Sequence, residues 1–288
     1  MTRTLITGST GFIGRRATDM SRDRGPVCAV TRRAFDTPPG VTTEVWDGTT
    51  RSLQDIFERF QPDHVLHLAA HYVREHARED VVTLVDANVG VAAQVLECSG
   101  PAAVVLATTH FMHYGRSMRA LNLYAATKLA MLDVARYYGD ARQTRWAAVT
   151  FYDVYGPHDT RRKLVEVAVE ASLADEPLAV PADDPEIRLL YVDDAVGALH
   201  AAADALDDDT SWSGTEFFAA PASSARVRDV LAAVADVTGG RPAIAAARYP
   251  SSERSIRTPT DPGPPPPGWE PQVTLADGIK AIVESRSQ

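Results

Sequence analysis

Leu5-Ile6-Thr7-Gly8-Ser9-Thr10-Gly11-Phe12-Ile13-Gly14 is the stretch that decides the fold of this 288-residue chain. An apolar strand runs into three glycines spaced three apart, and a helix follows. Gly8 lets the backbone turn sharply with φ > 0. Gly11 leaves room for a diphosphate against the amides at the helix N-terminus. Gly14 lets the first helix press close to the first strand. A glycine triplet alone is a weak signal. Here a strand precedes it, a helix follows, and a second strand ends near Arg32, so a dinucleotide site is expected. Its first contacts would be Gly8, Thr10, Gly11, Phe12 and Ile13.

Working outward, short apolar strands alternate with helical stretches. Strands are read at 27–30, 43–46, 65–68, 103–107 and 147–151, with amphipathic runs at 53–60 and 89–98 between them. Such alternation implies an α/β fold, a doubly wound parallel sheet covered on both faces. Later segments read as a helix at 164–173, a strand at 189–192, helices at 194–206 and 226–238, a five-proline loop at 261–268 and a last helix at 275–284. The expected organisation is a dinucleotide-binding domain over 1–157, to which 188–216 return, and a smaller substrate lobe from 158–187 and 217–288. Ligands of doubly wound sheets bind beyond the carboxyl ends of the strands, so functional residues belong in the loops there.

The second strand ends Val30-Thr31-Arg32-Arg33 without the acid that would hold a ribose 2′-hydroxyl. An acid repels a 2′-phosphate, whereas guanidinium pairs with it, so Arg32 and Arg33 favour NADP over NAD, with Arg15 in support. Two solvated loop arginines are the plain alternative. Asp47 is either an adenine contact or a turn-forming Asp-Gly.

Tyr124-Ala125-Ala126-Thr127-Lys128 opens a helix, which puts phenol and ammonium on one face. The cation is expected to lower the tyrosine pKa. Such a tyrosine delivers a proton to a carbonyl oxygen while hydride reaches the carbon, and Lys128 also holds the nicotinamide ribose. Thr109, after the fifth strand, is the expected hydroxyl partner of the substrate oxygen, with Thr108 in reserve. Tyr124, Lys128 and Thr109 form the expected catalytic set.

Composition bounds the rest. A net charge of −9 argues against nucleic acid as main partner. No apolar run is read as long enough to span a membrane. Residues 1–14 read as strand and turn rather than signal peptide, so a cytoplasmic location is expected. The two cysteines, Cys28 and Cys98, lack metal spacing and read as buried structural thiols. No metal site is expected.

At this point the chain resembles the extended short-chain dehydrogenases/reductases, also called the NAD-dependent epimerase/dehydratase family. The resemblance rests on Thr7-Gly8-x-x-Gly11-x-x-Gly14, His67-Leu68-Ala69-Ala70, Asn88-Val89, Tyr124-x-x-x-Lys128, Val154-Tyr155-Gly156-Pro157, Arg188-x-x-x-Val192-x-Asp194 and Gly268-Trp269-x-Pro271. It implies a Rossmann fold, Leu68, Ala69 and Ala70 at the cofactor, and a homodimer through a four-helix bundle built from 82–98 and 124–138. Within the family, 122–128 and 155–164 look most like the CDP-abequose and CDP-paratose synthases, which reduce the 4-keto group of nucleotide-linked deoxysugars. That likeness implies Arg161, Arg162 and Arg188 near a substrate diphosphate; Arg188 alternatively braces the following strand. Arg254 and Arg257 are further phosphate candidates.

The chain also departs from the family. His110 and Phe111 follow Thr109 where 4,6-dehydratases carry Asp-Glu, which argues against a dehydratase. Asp153 stands where many relatives carry Asn, at a position that reaches substrate. The stretch from Thr109 to Tyr124 is short, and His110 within it is a candidate substrate contact, flanked by His113. The expected function is an NADPH-dependent ketoreductase acting on a nucleotide-diphosphate 4-keto-deoxyhexose. A polyketide ketoreductase, a nucleotide-sugar epimerase and a non-catalytic cofactor sensor are the alternatives.

Overall fold

The computed structural model describes residues 1–116, 118–240, 244–247 and 255–286. In chain order the elements are β1 (Thr4–Thr7), α1 (Phe12–Ser21), β2 (Val27–Thr31), β3 (Val41–Val45), α2 (Thr50–Phe60), β4 (His64–His67), α3 (Asp80–Val85), α4 (Val91–Cys98), β5 (Ala103–Thr109), α5 (Leu123–Arg142) and β6 (Trp146–Phe151). A π-helical turn, Asp86–Gly90, joins α3 to α4. There follow β7 (Asp153–Tyr155), α6 (Leu164–Ala174), β8 (Leu178–Pro181), β9 (Glu186–Ile187), β10 (Leu189–Tyr191), α7 (Val192–Asp208), β11 (Thr215–Ala219), β12 (Ala225–Arg226), α8 (Val227–Thr238), β13 (Ile244–Ala247) and α9 (Leu275–Ser285).

The seven-stranded sheet has the order β11-β6-β5-β4-β1-β2-β3, and every pairing in it is parallel. Successive side chains alternate between faces. Leu5, Val65, Val104 and Leu106 pack with Leu53, Ile56, Phe57, Val95 and Met131 of the helices on one side. Ile6, Leu66, Val105 and Val149 pack with Ala17, Ala195, Leu199 and Phe217 on the other. Each fully buried Leu, Ile or Phe contributes about 1.5–3 kcal/mol of transfer free energy. The expected doubly wound parallel sheet is therefore present.

A third core, Val165, Val169, Val230, Val234, Ile279 and Ile282, joins α6, α8 and α9 beside this sheet. The expected boundary before residue 217 falls inside β11, which pairs with β6 from Thr215 to Ala219. Phe217 is fully buried in the core of the large sheet. Two late motifs turn out to be one contact. The Asp194 carboxylate accepts the amides of Gln272 and Val273, both at 3.0 Å, and the Trp269 indole donates to the Asp194 carbonyl at 3.0 Å. That ties the chain before α9 to the start of α7.

Two readings of the sequence need correction. Helix Asp80–Cys98 is long and apolar enough to cross a membrane by length and composition alone, although no such run was expected. Leu84, Ala92, Val95 and Leu96 of that helix are buried in the fold, so packing accounts for part of its apolarity. Cys28 is buried, whereas Cys98 is only half-buried, near the Thr50 carbonyl.

Candidate active site

The glycine turn is built around contacts that a side chain would break. Gly8 has φ +72°, and a Cβ there would lie 2.5 Å from the Ala69 nitrogen. A Cβ on Gly14 would stand 2.0 Å from the Gly8 carbonyl oxygen, so Gly14 packs against the turn itself. Gly11 differs. A Cβ there would meet only the Gly8 oxygen, at 3.2 Å, and otherwise fills open space above the first turn of α1. Among the described residues, the first turn of α1 has no acidic side chain to repel an anion. The Ser9 hydroxyl is buried there without a partner. This cradle fits a dinucleotide diphosphate over Thr10, Gly11, Phe12 and Ile13.

Arg32 and Arg33 follow β2 and are exposed. The Thr31 hydroxyl donates to the Arg33 carbonyl at 2.7 Å, which folds the loop back on the strand end. Arg15 donates to the Thr10 carbonyl at 3.0 Å, and its guanidinium lies over Phe35. Asp47 is turned inward on its own loop. Its carboxylate accepts the amide and hydroxyl of Thr49 at 2.8 and 2.7 Å, and these bonds hold it below the usual carboxylate range. Thr49 in turn caps α2 through the Ser52 amide. These bonds are those of a turn-forming Asp, and both fall on Oδ1 of an exposed carboxylate.

The loop after β4 is pinned from two sides. Leu68 N–H donates to the Thr7 carbonyl at 3.1 Å, and Ala69 N–H reaches the Thr7 hydroxyl at 3.4 Å. That hydroxyl also bonds His67 Nδ1 at 2.8 Å. Burial, then the Lys128 charge, pushes the His67 pKa down to about 3, so the ring is neutral. Further along, Asn88 accepts the His71 amide at 2.8 Å and donates to the His71 carbonyl and the Thr127 hydroxyl at 3.0 and 2.9 Å. Asn88 sits on the π-helical turn, where one extra residue per turn displaces it from the regular helix face. It therefore joins the loop carrying Leu68, Ala69 and Ala70 to the helix carrying Tyr124 and Lys128. Reading the sequence by residue chemistry misses this clamp; its one signal is Asn88-Val89.

Helix α5 begins where the Asn122 side chain accepts the Ala125 amide at 2.9 Å. This cap fixes Tyr124 in the first turn and Lys128 one turn below. Lys128 is 1% exposed, and burial lowers its pKa to about 8. Its recorded hydrogen bond is to Met131 Sδ, at 4.0 Å. A buried ammonium held by a thioether suits a hydroxyl-bearing ligand such as ribose. Tyr124 packs edge-on against Tyr72, with ring centroids 4.9 Å apart. Its pKa is raised by burial and Tyr72, against a lowering by Arg161. The expected lowering by Lys128 is not found: Arg161 is the cation that acts on the phenol, and desolvation of the phenolate outweighs it.

Thr109 ends β5, and among the described residues its hydroxyl has one long bond, from the Phe111 amide at 3.4 Å, so it retains capacity for a ligand. Thr108, on the opposite face, bonds Thr150 at 2.6 Å in a buried polar chain and is committed there. His110 is buried and stacks on Tyr152, with ring centroids 4.6 Å apart. Burial, the largest influence on it, lowers its pKa. Asp153 is desolvated, which raises its pKa, but Lys163 at 3.0 Å together with His110 and Arg161 brings it below the usual value.

The arginines separate. Arg161 is clamped on both Asp159 oxygens at 2.7 Å and on the Val154 carbonyl at 2.8 Å, with its guanidinium 4.5 Å over the Phe12 ring. It thus lies beside the glycine cradle. Arg162 has φ +52° and pairs with Glu170 of α6 at 3.0 Å, and among the described residues no contact joins it to the constellation. Arg188 is 5% exposed and donates to the carbonyls of Pro221 and Ala222 at 2.9 Å and to Asp261 at 3.0 Å. It braces the chain after β11 rather than the strand that follows it, β10. Arg257 is exposed and pairs with Asp183 at 3.3 Å; Arg254 lies outside the described residues.

A cleft of about 480 Å³ opens alongside, lined by 113–115 and 255–261. Tyr152 links it to the constellation: its hydroxyl donates to the Thr260 carbonyl at 2.9 Å while its ring stacks on His110. Together the residues provide an anion cradle, a phenolic proton donor, a buried cation and a hydroxyl with spare hydrogen-bonding capacity at one edge of a parallel sheet.

Comparison with known proteins fits this arrangement. The family model of the NAD dependent epimerase/dehydratase family matches residues 4–213. A CDP-abequose synthase of Yersinia pseudotuberculosis is 26% identical over 204 residues, covering 68% of this chain and 71% of its own. UDP-glucuronate 4-epimerase 1 of Arabidopsis thaliana is 24% identical over 75% of this chain, and the match spans 58% of the length of that relative. Among solved structures, a UDP-glucose 4-epimerase of Thermus thermophilus, in complex with NAD, superposes with a TM-score of 0.83 at 25% identity over 98% of both chains.

Proposed function

This chain belongs to the NAD dependent epimerase/dehydratase family, and on that premise we propose that it is an NADPH-dependent ketoreductase of a nucleotide-diphosphate deoxyhexose. The observation that carries the reading is the pairing of Tyr124 and Lys128 on α5 with a glycine cradle shaped for a dinucleotide. The cofactor, when bound, supplies a hydride. Tyr124 gives its proton to the carbonyl oxygen, Thr109 holds that oxygen, and Lys128 holds the ribose. The 4-keto position is carried over from the resemblance of 122–128 and 155–164 to the CDP-abequose and CDP-paratose synthases, and the likeness to a CDP-abequose synthase supports it.

Arg32 and Arg33 support NADPH, because both are exposed at the end of β2 and suit a 2′-phosphate. Arg161 supports a diphosphate-bearing substrate or cofactor, since it stands over Phe12 beside the cradle. A homodimer is part of the same reading: Val82 is 68% exposed and Tyr137 61%, on the helices expected to form a four-helix bundle.

The experiment is NADPH oxidation measured against a panel of 4-keto nucleotide sugars. Stoichiometric consumption is expected, and the double variant Arg32→Ala, Arg33→Ala should erase the preference for NADPH over NADH. A second reading, sugar epimerisation, is favoured by the likeness to UDP-glucuronate 4-epimerase. Turnover of a nucleotide sugar without net NADPH loss would establish it in place of the first.

A further inference from the structure

One polar chain in the protein is not used by the chemistry above. The Thr150 hydroxyl donates to Glu216 Oε1, so Thr108 must donate to Thr150 at 2.6 Å. The same Glu216 oxygen lies 2.8 Å from His113 Nε2. A carboxylate only accepts, so Nε2 carries a proton, and whenever the ring is neutral Nδ1 carries the lone pair. Three further contacts fix the ring. The His113 amide donates to the His110 carbonyl at 2.9 Å, its backbone pairs with Arg119, and its imidazole packs 5.2 Å from Phe218. His113 also lines the 480 Å³ cleft, together with Thr258, Thr260 and Asp261.

Keeping Glu216 mostly out of water costs desolvation, which the Thr150 and His113 bonds offset. A carboxylate that fixes the tautomer and direction of an imidazole is the arrangement that makes histidine a defined acceptor. We infer that His113, oriented by Glu216, is a specificity-determining residue whose Nδ1 accepts a hydrogen bond from a sugar hydroxyl in the cleft. The inference rests on the reading of this chain as a nucleotide-sugar enzyme.

Two measurements test it. Long-range ¹H–¹⁵N correlation spectra of the full chain at pH 8 should show His113 protonated on Nε2; a proton on Nδ1 overturns the assignment. Calorimetric titration with UDP-glucose, CDP-glucose and UDP-glucuronic acid in the presence of NADPH should show at least one binding. His113→Leu should weaken that binding roughly tenfold, the value of one hydrogen bond, while NADPH affinity stays unchanged. If His113→Leu does not fold, Glu216→Gln keeps the shape, and it should loosen the tautomer preference and weaken sugar binding several-fold. Sugar binding unchanged in the folded variant overturns this inference alone. Failure of the wild type to bind any of the three sugars overturns both it and the functional reading.

Discussion

Replacing Lys128 by Met should make the ligand-free protein more stable and the enzyme inactive. The side chain is among the largest fully buried in the protein, and burial brings its pKa from 10.5 to about 8. At 1.36 kcal/mol per pH unit this corresponds to at most about 3 kcal/mol. The sign follows from linkage. Between about pH 8 and 10.5 the unfolded chain binds a proton that the folded one releases, so wild-type stability rises with pH across that window. Below pH 8 the full penalty is present. Met keeps the unbranched shape and removes the charge. Thermal unfolding at pH 7 should therefore place Lys128→Met a few degrees above wild type, at roughly 2 °C per kcal/mol for a chain of this size. The gap should close as pH approaches 10. Saturating NADPH should raise the wild-type midpoint more than that of the variant, because the ammonium then gains the oxygen partners it lacks. A variant less stable than wild type at pH 7, or a gap that does not change with pH, would refute the reasoning.

The glycines should separate in the same assay. Gly14→Ala, with its Cβ 2.0 Å from the Gly8 oxygen, should lose about 3 kcal/mol or more, or fail to fold. Gly11→Ala should fold near normally yet bind NADPH at least tenfold more weakly by fluorescence titration, because its Cβ occupies the cradle. Tyr124→Phe should keep fold and NADPH affinity while turnover drops by roughly 100-fold or more, read in steady-state kinetics. Asn88→Ala strands the His71 amide and carbonyl, while the Thr127 hydroxyl keeps its bond to the Tyr124 carbonyl at 2.7 Å, so chemical denaturation should show a loss of about 2 kcal/mol.

The parallel sheet and the glycine turn were legible in the linear sequence because both are local. A strand needs a short apolar run, and a turn with φ > 0 needs glycine at one position. Tyr124 and Lys128 were legible for the same reason, since i and i+4 share a helix face whatever surrounds them. The tertiary structure decided everything that depends on what lies across a gap in sequence. It sends Arg188 to Pro221, Ala222 and Asp261, and Arg162 to Glu170, leaving Arg161 of the three beside the cradle. It raises the Tyr124 pKa where the neighbouring cation alone would lower it, because burial is set by packing rather than by spacing. It carries β11 into the main sheet across the expected lobe boundary. It also brings Asn88 to Thr127, and Glu216 to His113, over separations of 39 and 103 residues. Local backbone geometry is written in neighbouring residues; electrostatic environment and hydrogen-bond partnership belong to whichever groups the completed fold encloses together.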